Sequence, residues 1–254
     1  MADTTTYLES KPRYEILDGL RGVAAMIVVA FHLFETYSHG PQSQILNHGY
    51  LAVDFFFVLS GFVIGYAYDN RWDRMTTRGF FKRRITRLHP MVIMGSIIGV
   101  LLFYGGAAPG FPLIGQTPWW RLLLMFLAGC LMLPAPVSLD IRGWGETYPL
   151  NGPQWSLMLE YLANILDAFI FRRLPKAALA ACVAVAAFFT IDLGLNLNVF
   201  GLLGPHAQYA FIGGWGIKGT QLWIGLIRLF YPFLCGLLIS RIGRHIKVRG
   251  GFWL

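Results

Sequence analysis

Long apolar runs alternate with short polar and basic connections along most of the chain. The hydrocarbon core of a bilayer is about 30 Å thick and needs about 20 helical residues to cross it. The pattern therefore predicts six membrane-spanning helices, at residues 16–37, 50–68, 91–108, 155–171, 177–195 and 220–240. A seventh apolar stretch, residues 119–133, is shorter and is followed by Pro134 and Pro136.

Three clusters of Lys and Arg follow some of these runs, at residues 71–87, 172–176 and 241–249. Cytoplasmic loops of membrane proteins retain such residues, so all three clusters are expected on the cytoplasmic side, together with the N-terminus. That assignment needs two crossings between the first two clusters, where three apolar stretches lie. We therefore expect one of the three stretches to be re-entrant or interfacial.

Two stretches compete for that role. Residues 119–133 are short and bounded by prolines, which favours a re-entrant or interfacial helix. Residues 155–171 are the alternative, because Glu160 and other polar residues make that stretch polar for lipid. In either case the prediction is an all-α fold: a polytopic integral membrane helical bundle of about six spans plus one re-entrant or interfacial helix, in a single domain over residues 1–254.

The composition supports a membrane environment for most of the chain, since 56% of the residues are hydrophobic and 13% are charged. The basic clusters between the spans explain the net charge of +8, so no nucleic-acid partner is predicted. The cysteines are far apart, and the histidines show no metal-ligand spacing, so neither a disulfide nor a metal site is predicted. The bilayer itself is the predicted partner, and the inner (plasma) membrane is the predicted location.

Ionisable residues inside a predicted span are candidates for function, because lipid does not solvate them. Arg21 and His32 share one helical face of the first span at 100° per residue, and they are separated by about 16 Å along its axis. That face joins an anion-binding group near the cytoplasm to a proton-transfer group nearer the outer surface. A structural interpretation is also open, with Arg21 paired to Asp18 and His32 hydrogen-bonded in the interior.

Asp54 lies near the outer end of the second span, at the depth that His32 occupies in the first span. A carboxylate at that depth is expected to hold one imidazole nitrogen of His32, so that the other acts as a general base. The alternative is that Asp54 only caps its helix near the interface.

Arg84 and Arg87 lie in the first basic cluster, one helical turn apart. On a helix they project together, and two forked guanidinium groups suit a phosphate. The alternative is that the cluster only sets topology. Glu160 has no basic neighbour in sequence, so once buried it must find a partner in the fold or take up a proton.

Five segments resemble, in order, motifs of the membrane-bound acyltransferase-3 family, typified by bacterial O-acetyltransferases of cell-surface sugars. The Arg-x10-His signature occurs at Arg21 and His32, within LDGLRGVAAMIVVAFH. The Arg-x-x-Arg motif occurs at Arg84 and Arg87, within KRRITRLHP. The Trp-Ser-Leu-x-x-Glu element ends at Glu160, within QWSLMLEYL, and two further helices of the family resemble VDFFFVLSGFVIG and RLFYPFLCGLLISR.

The resemblance implies transfer of an acyl group, commonly acetyl from the coenzyme A thioester, to a hydroxyl of a carbohydrate or related cell-envelope acceptor. It also implies that the signature arginine and histidine are essential and that the Arg-x-x-Arg pair takes part. Acyl-CoA is thus the expected co-substrate, and its phosphates are expected to bind the arginines. The predicted site comprises the catalytic residues His32, Asp54 and Glu160 and the donor-binding residues Arg21, Arg84 and Arg87.

Family members usually carry more spans, so the resemblance implies that the domain is incomplete at its C-terminus, which leaves the activity of this short chain open. A second hypothesis is a proton-coupled carrier or flippase, in which His32 and Asp54 form a proton relay and the basic loop binds anionic lipid. A third is an inactive truncated relic. The sequence makes no prediction of oligomeric state.

Overall fold

The structure is a computed structural model, and it describes residues 11, 14–39, 43–202, 211–217 and 219–243. Residues 244–249 of the third basic cluster lie outside the described residues. The described part contains seven α-helices and no β-strand, so the prediction of an all-α fold is confirmed. The helices are α1 (Glu15–Thr36), α2 (Ala52–Tyr68), α3 (Thr77–Leu102), α4 (Trp119–Cys130), α5 (Gln154–Phe169), α6 (Lys176–Gly194) and α7 (Thr220–Ile242).

Among the described helices, α1, α2 together with the 3-10 turn before it (Gly49–Tyr68), α3, α6 and α7 are long and apolar enough to span a membrane, as expected for a multi-pass membrane protein. The other two are shorter, with 12 residues in α4 and 16 in α5. In α5, Glu160, Asn164 and Asp167 also reduce the apolar character. By length and composition, the described residues therefore contain five candidate spans where the sequence predicted six, and the predicted span at 155–171 is the one that falls short.

Helix α3 begins well before its predicted start at residue 91. Thr76 caps it, because its hydroxyl accepts a hydrogen bond of 3.1 Å from a backbone N–H in the first turn. The helix then continues through Pro90, which membrane helices tolerate. Hydropathy had marked only the apolar half of α3, and Arg84 and Arg87 consequently lie on the helix itself, one turn apart.

Helices α2 and α7 are in backbone contact at two glycines. A Cβ on Gly61 of α2 would collide with the carbonyl oxygen of Phe233, and a Cβ on Gly236 of α7 would collide with that of Val58. Small residues at such contacts allow membrane helices to approach closely. The α2–α7 pair forms the centre of the bundle, and α1, α5 and α6 pack around it.

The segment that follows α4 folds back to the start of that helix. Thr117, just before the helix, donates a hydrogen bond from Oγ1 to the carbonyl of Ile141 at 3.4 Å. Arg121, in the first turn, donates to the carbonyl of Ser138 at 2.6 Å. The segment after α4 therefore returns to the point at which the helix begins, which is the geometry of a re-entrant helix and supports that interpretation of residues 119–133.

Helix α5 runs alongside α7 from Arg228 to Arg241. Near the start of α5, the ring of Trp155 lies 5.4 Å from the guanidinium carbon of Arg228. Just beyond its end, the carbonyl of Phe171 accepts a hydrogen bond of 3.0 Å from Arg241. These two arginines are about 20 Å apart along α7. Helix α5 thus follows α7 over about 20 Å despite its polar residues, which favours α4 as the helix that does not cross.

The last residues of α2, α5 and α7 meet at one end of the bundle. There Arg241 donates a hydrogen bond from Nε to Asp69 Oδ2 at 2.6 Å, beside the segment that follows α5. The basic clusters at 71–87 and 172–176 begin next to this contact. We call this end the basic end, and the opposite end, where Arg228 lies, the Arg228 end.

Two buried amides on α5 give opposite stability predictions. Asn164 is fully buried and neither its Nδ2 nor its Oδ1 has a hydrogen-bond partner, whereas the buried Gln154 donates from Nε2 to the carbonyl of Gly129 at 2.7 Å. An unpaired buried amide costs about 1–3 kcal/mol. Asn164→Leu is therefore expected to raise the thermal unfolding temperature of the detergent-solubilised protein, and Gln154→Leu is expected to lower it. A lower unfolding temperature for Asn164→Leu would contradict this account of α5.

Candidate active site

A cavity of about 490 Å³ lies between α1, α2, α3 and the start of α5. Its lining combines apolar side chains of α1 and α2 with charged side chains from three helices. Five of the six predicted site residues line it, from positions far apart in sequence. They are Arg21, His32, Arg84, Arg87 and Glu160.

Helix α1 crosses the bundle beside this cavity. Just before α1, Lys11 donates a hydrogen bond of 2.7 Å to a side chain beyond the end of α2, at the basic end. Near its other end, Phe31 packs edge-on against Tyr50, which lies beside Arg228, with 6.0 Å between ring centroids. His32 therefore lies toward the Arg228 end, and Arg21 lies toward the basic end.

Glu160 finds its partner on α3. Arg84 donates a hydrogen bond from Nη2 to Glu160 Oε1 at 2.5 Å, and the Ser60 hydroxyl donates to the same oxygen at 2.8 Å. The Arg84 side chain is only 3% exposed, and its Nε has no hydrogen-bond partner. The pair holds α3 against α5 and α2, and it removes the unpaired charge that a buried carboxylate would carry.

The two other arginines of the cavity are less fully neutralised. Arg21 pairs with Asp18 on its own helix at 3.0 Å, a contact in which the carboxylate is largely exposed. Arg87 forms no ion pair among the described residues, although it faces the same cavity from α3. An excess of guanidinium charge in a partly enclosed space attracts anions.

His32 pairs with a residue of its own helix. Its Nδ1 lies 3.0 Å from Glu35 Oε2, and both side chains are about half exposed. A carboxylate at Nδ1 orients the ring and stabilises the imidazolium form. Glu35 was not among the predicted site residues, although its i,i+3 spacing from His32 was visible in the sequence.

Asp54 has a different partner, so its predicted pairing with His32 is wrong. Its carboxylate accepts hydrogen bonds of 3.0 Å from both Nε and Nη2 of Arg228, on α7. The same guanidinium donates to the carbonyls of Tyr50 and Gly213, each at 2.9 Å. Matching depth is not enough to predict a pair, because a buried arginine at that depth binds the carboxylate in preference to a half-exposed imidazole.

A model of the acyltransferase-3 family, described as an acyltransferase domain, matches residues 14–254. The match includes the four helices around the cavity and every predicted site residue. The chain belongs to the acyltransferase-3 family. The family resemblance inferred from the five motifs is thereby confirmed, and with it the enzyme class.

Three relatives illustrate the extent of the similarity. "Protein 2 in picA locus" of Rhizobium radiobacter is 34% identical over 182 residues, which are 69% of this chain and 91% of that protein. Acyltransferase MdmB of Streptomyces mycarofaciens is 31% identical over 254 residues, 95% of this chain and 59% of MdmB. The peptidoglycan O-acetyltransferase OatA of Listeria monocytogenes is 33% identical over 104 residues, 40% of this chain and 15% of OatA. This chain therefore spans little more than half of MdmB and a small part of OatA. No solved structure matches it significantly.

The carboxylates of Asp54 and Glu35 are expected to differ in their effect on stability. Asp54→Asn leaves the buried charge of Arg228 without its partner, which typically costs about 3–5 kcal/mol. Glu35→Gln removes only a half-exposed pair, worth about 0–1 kcal/mol. Thermal unfolding in detergent is therefore expected to show a large loss for Asp54→Asn and a small one for Glu35→Gln. A combined Asp54→Leu and Arg228→Met variant, which removes both charges, should recover much of that loss; equal losses in the two single variants would contradict this assignment.

Proposed function

We propose that this chain is an integral membrane O-acyltransferase that moves an acyl group, most simply acetyl, from acyl-CoA to a hydroxyl of a carbohydrate or related cell-envelope acceptor. One observation carries the proposal: a single cavity is lined by a carboxylate-paired histidine and by three arginines. Family membership supports acyl transfer, and OatA is a relative named for O-acetylation of peptidoglycan.

The arginines are proposed to bind the donor. Coenzyme A carries phosphates, and forked guanidinium groups bind phosphate oxygens in pairs. Arg21 and Arg87 are suited to this role, because neither is held by a buried carboxylate. We assign the basic end to the cytoplasm, where acyl-CoA is found, and the N-terminus to the same side. The location is proposed to be the inner (plasma) membrane.

His32 is proposed to be the general base. Its Nε2 takes the proton of the acceptor hydroxyl, and the oxygen attacks the thioester carbonyl carbon. The new C–O bond forms, the C–S bond breaks, and the departing sulfur takes the proton back from the imidazolium. Glu35 holds Nδ1 and stabilises the positive charge that His32 carries between these steps.

Glu160 is proposed to act through Arg84, although the motif suggested a catalytic carboxylate. Its Oε1 already accepts hydrogen bonds from Arg84 and Ser60, so it is engaged in holding the wall of the cavity. In that role it keeps the Arg84 guanidinium at a fixed depth beside the donor. The carrier hypothesis is weakened, because Asp54, the second member of its proton relay, is bound to Arg228.

Removing the imidazole is expected to abolish transfer. His32→Ala should lower the rate by about 10²- to 10⁴-fold, the usual loss on removing a general base, and Glu35→Gln should lower it less, because the ring stays in place. The assay is release of coenzyme A from acetyl-CoA in the presence of peptidoglycan and other glycans. His89→Ala, at a histidine of α3 outside the cavity lining, is the matched control. Wild-type turnover in the His32 variant would exclude this mechanism, and gradient-dependent transport without coenzyme A release would favour the carrier.

Donor affinity is expected to depend on the forked shape of Arg87. Arg87→Ala should weaken acetyl-CoA binding by about tenfold to a hundredfold, the range for losing a charge-assisted hydrogen bond, and Arg87→Lys should recover only part of it. Arg83→Ala is the control, since Arg83 belongs to the same cluster but does not line the cavity. Titration of acetyl-CoA into the full chain in lipid nanodiscs measures the donor affinity of all three variants. Equal losses of acetyl-CoA affinity in Arg83→Ala and Arg87→Ala would mean that the basic cluster attracts anions only through its overall charge.

A further inference from the structure

The connection between α4 and α5 presents an ordered group of polar and aromatic side chains at the Arg228 end. Asp140 organises it, because its carboxylate accepts hydrogen bonds from the backbone N–H groups of Arg142 at 2.9 Å and Gly145 at 2.7 Å. Gly143 and Gly145 have φ angles of 96° and 67°, which favour glycine. The turn therefore holds the side chains at positions 142, 144 and 146 in fixed directions.

These side chains and one residue of the preceding loop form a group that we call the rim: Phe111, Arg142, Trp144 and Glu146. The Arg142 guanidinium lies 4.2 Å above the ring of Phe111, and that ring lies 4.8 Å from the ring of Trp144. Trp144 is anchored by a hydrogen bond of 2.7 Å from Nε1 to the carbonyl of Gly110, yet 57% of the residue is exposed. An anchored indole with an open face is a ready surface for a flat or ring-shaped ligand.

Glu146 joins the rim to the cavity. A Cβ added at Gly152 would lie 3.4 Å from Glu146 Oε1, and the residues on either side of Gly152, Asn151 and Pro153, line the cavity. Burial raises the pKa of Glu146, and the positive charge of Arg142 acts against that shift.

Glu146 also forms an ion pair within the rim. Its Oε2 lies 3.1 Å from Arg142 Nη1, and the two side chains are 14% and 25% exposed. A ligand hydroxyl next to this pair can donate to the carboxylate and accept from the guanidinium.

From these contacts we propose that the rim is the acceptor-binding site and that it binds a sugar ring. The apolar face of the ring packs on Trp144, its hydroxyls donate to Glu146 and accept from Arg142, and one further hydroxyl points into the cavity toward His32. A plain alkyl alcohol would satisfy only one of these contacts. The inference rests on the proposed acyl transfer for its function, but sugar binding by the rim is testable without turnover.

The test compares Trp144→Ala and Glu146→Gln with Trp120→Ala, a control at an exposed tryptophan of α4 outside the cavity lining. The probes are tri-N-acetylglucosamine and maltotriose, titrated into the full chain in lipid nanodiscs, with acetyl-CoA titrated separately. We expect at least one trisaccharide to bind the wild type. Loss of the aromatic face or of the carboxylate should weaken its binding by about threefold to tenfold, with acetyl-CoA binding unchanged.

Two results would overturn the proposal: no binding of either trisaccharide to the wild type, or equal binding by the wild type and both rim variants. Sugar binding that depends on the rim, without any transfer from acetyl-CoA, would still support the rim and would count against the proposed acyl transfer alone. A loss in Trp120→Ala as large as that in Trp144→Ala would also overturn the proposal, because it would make the effect general to exposed tryptophans.

Discussion

The ion pair between the buried guanidinium of Arg228 and Asp54 is the interaction on which the arrangement of the bundle most depends. The guanidinium binds the carboxylate of Asp54 on α2 and two backbone carbonyls, and its carbon lies 5.4 Å from the ring of Trp155. A charge buried this deeply must be fully paired, or its desolvation would outweigh what the packing contributes. The pairing fixes the relative height of α2, α7 and the start of α5, and therefore the height of two walls of the cavity.

Two more arginine–carboxylate pairs connect helices in the same way at other depths of the bundle. Arg84 and Glu160 join α3 to α5, and Arg241 and Asp69 join the ends of α7 and α2 at the basic end. These pairs hold helices together and attract a ligand only weakly, because in each pair the carboxylate neutralises most of the arginine charge. Arg87, which forms no ion pair among the described residues, is different, and so is Arg21, with its exposed partner. The charge that remains for an anionic ligand is therefore concentrated on one side of the cavity.

The sequence predicted what depends on local periodicity and missed what depends on distant contacts. One helical face was enough to align Arg21 with His32, and the apolar runs located the helices. The need of Glu160 for a partner was also evident, but its identity was not, because Arg84 lies in another element. Asp54 was misassigned because depth alone does not separate His32 from a residue of α7. Whether residues 119–133 or residues 155–171 cross the bundle stayed open in the sequence, because the first stretch is short and the second is polar.

The charge distribution around the cavity favours two different ligands at its two ends. Toward the basic end, arginine side chains in a partly enclosed space attract a polyanion and disfavour cations, an effect that strengthens as water is excluded. Toward the Arg228 end, the carboxylates of Glu35 and Glu146 are paired with His32 and Arg142, so this end carries less excess positive charge and suits a neutral, hydroxyl-rich molecule. In the proposed reaction, the charged donor and the neutral acceptor would therefore bind at opposite ends of one cavity. His32 lies toward the proposed acceptor end, which is where a general base for the acceptor hydroxyl would be needed.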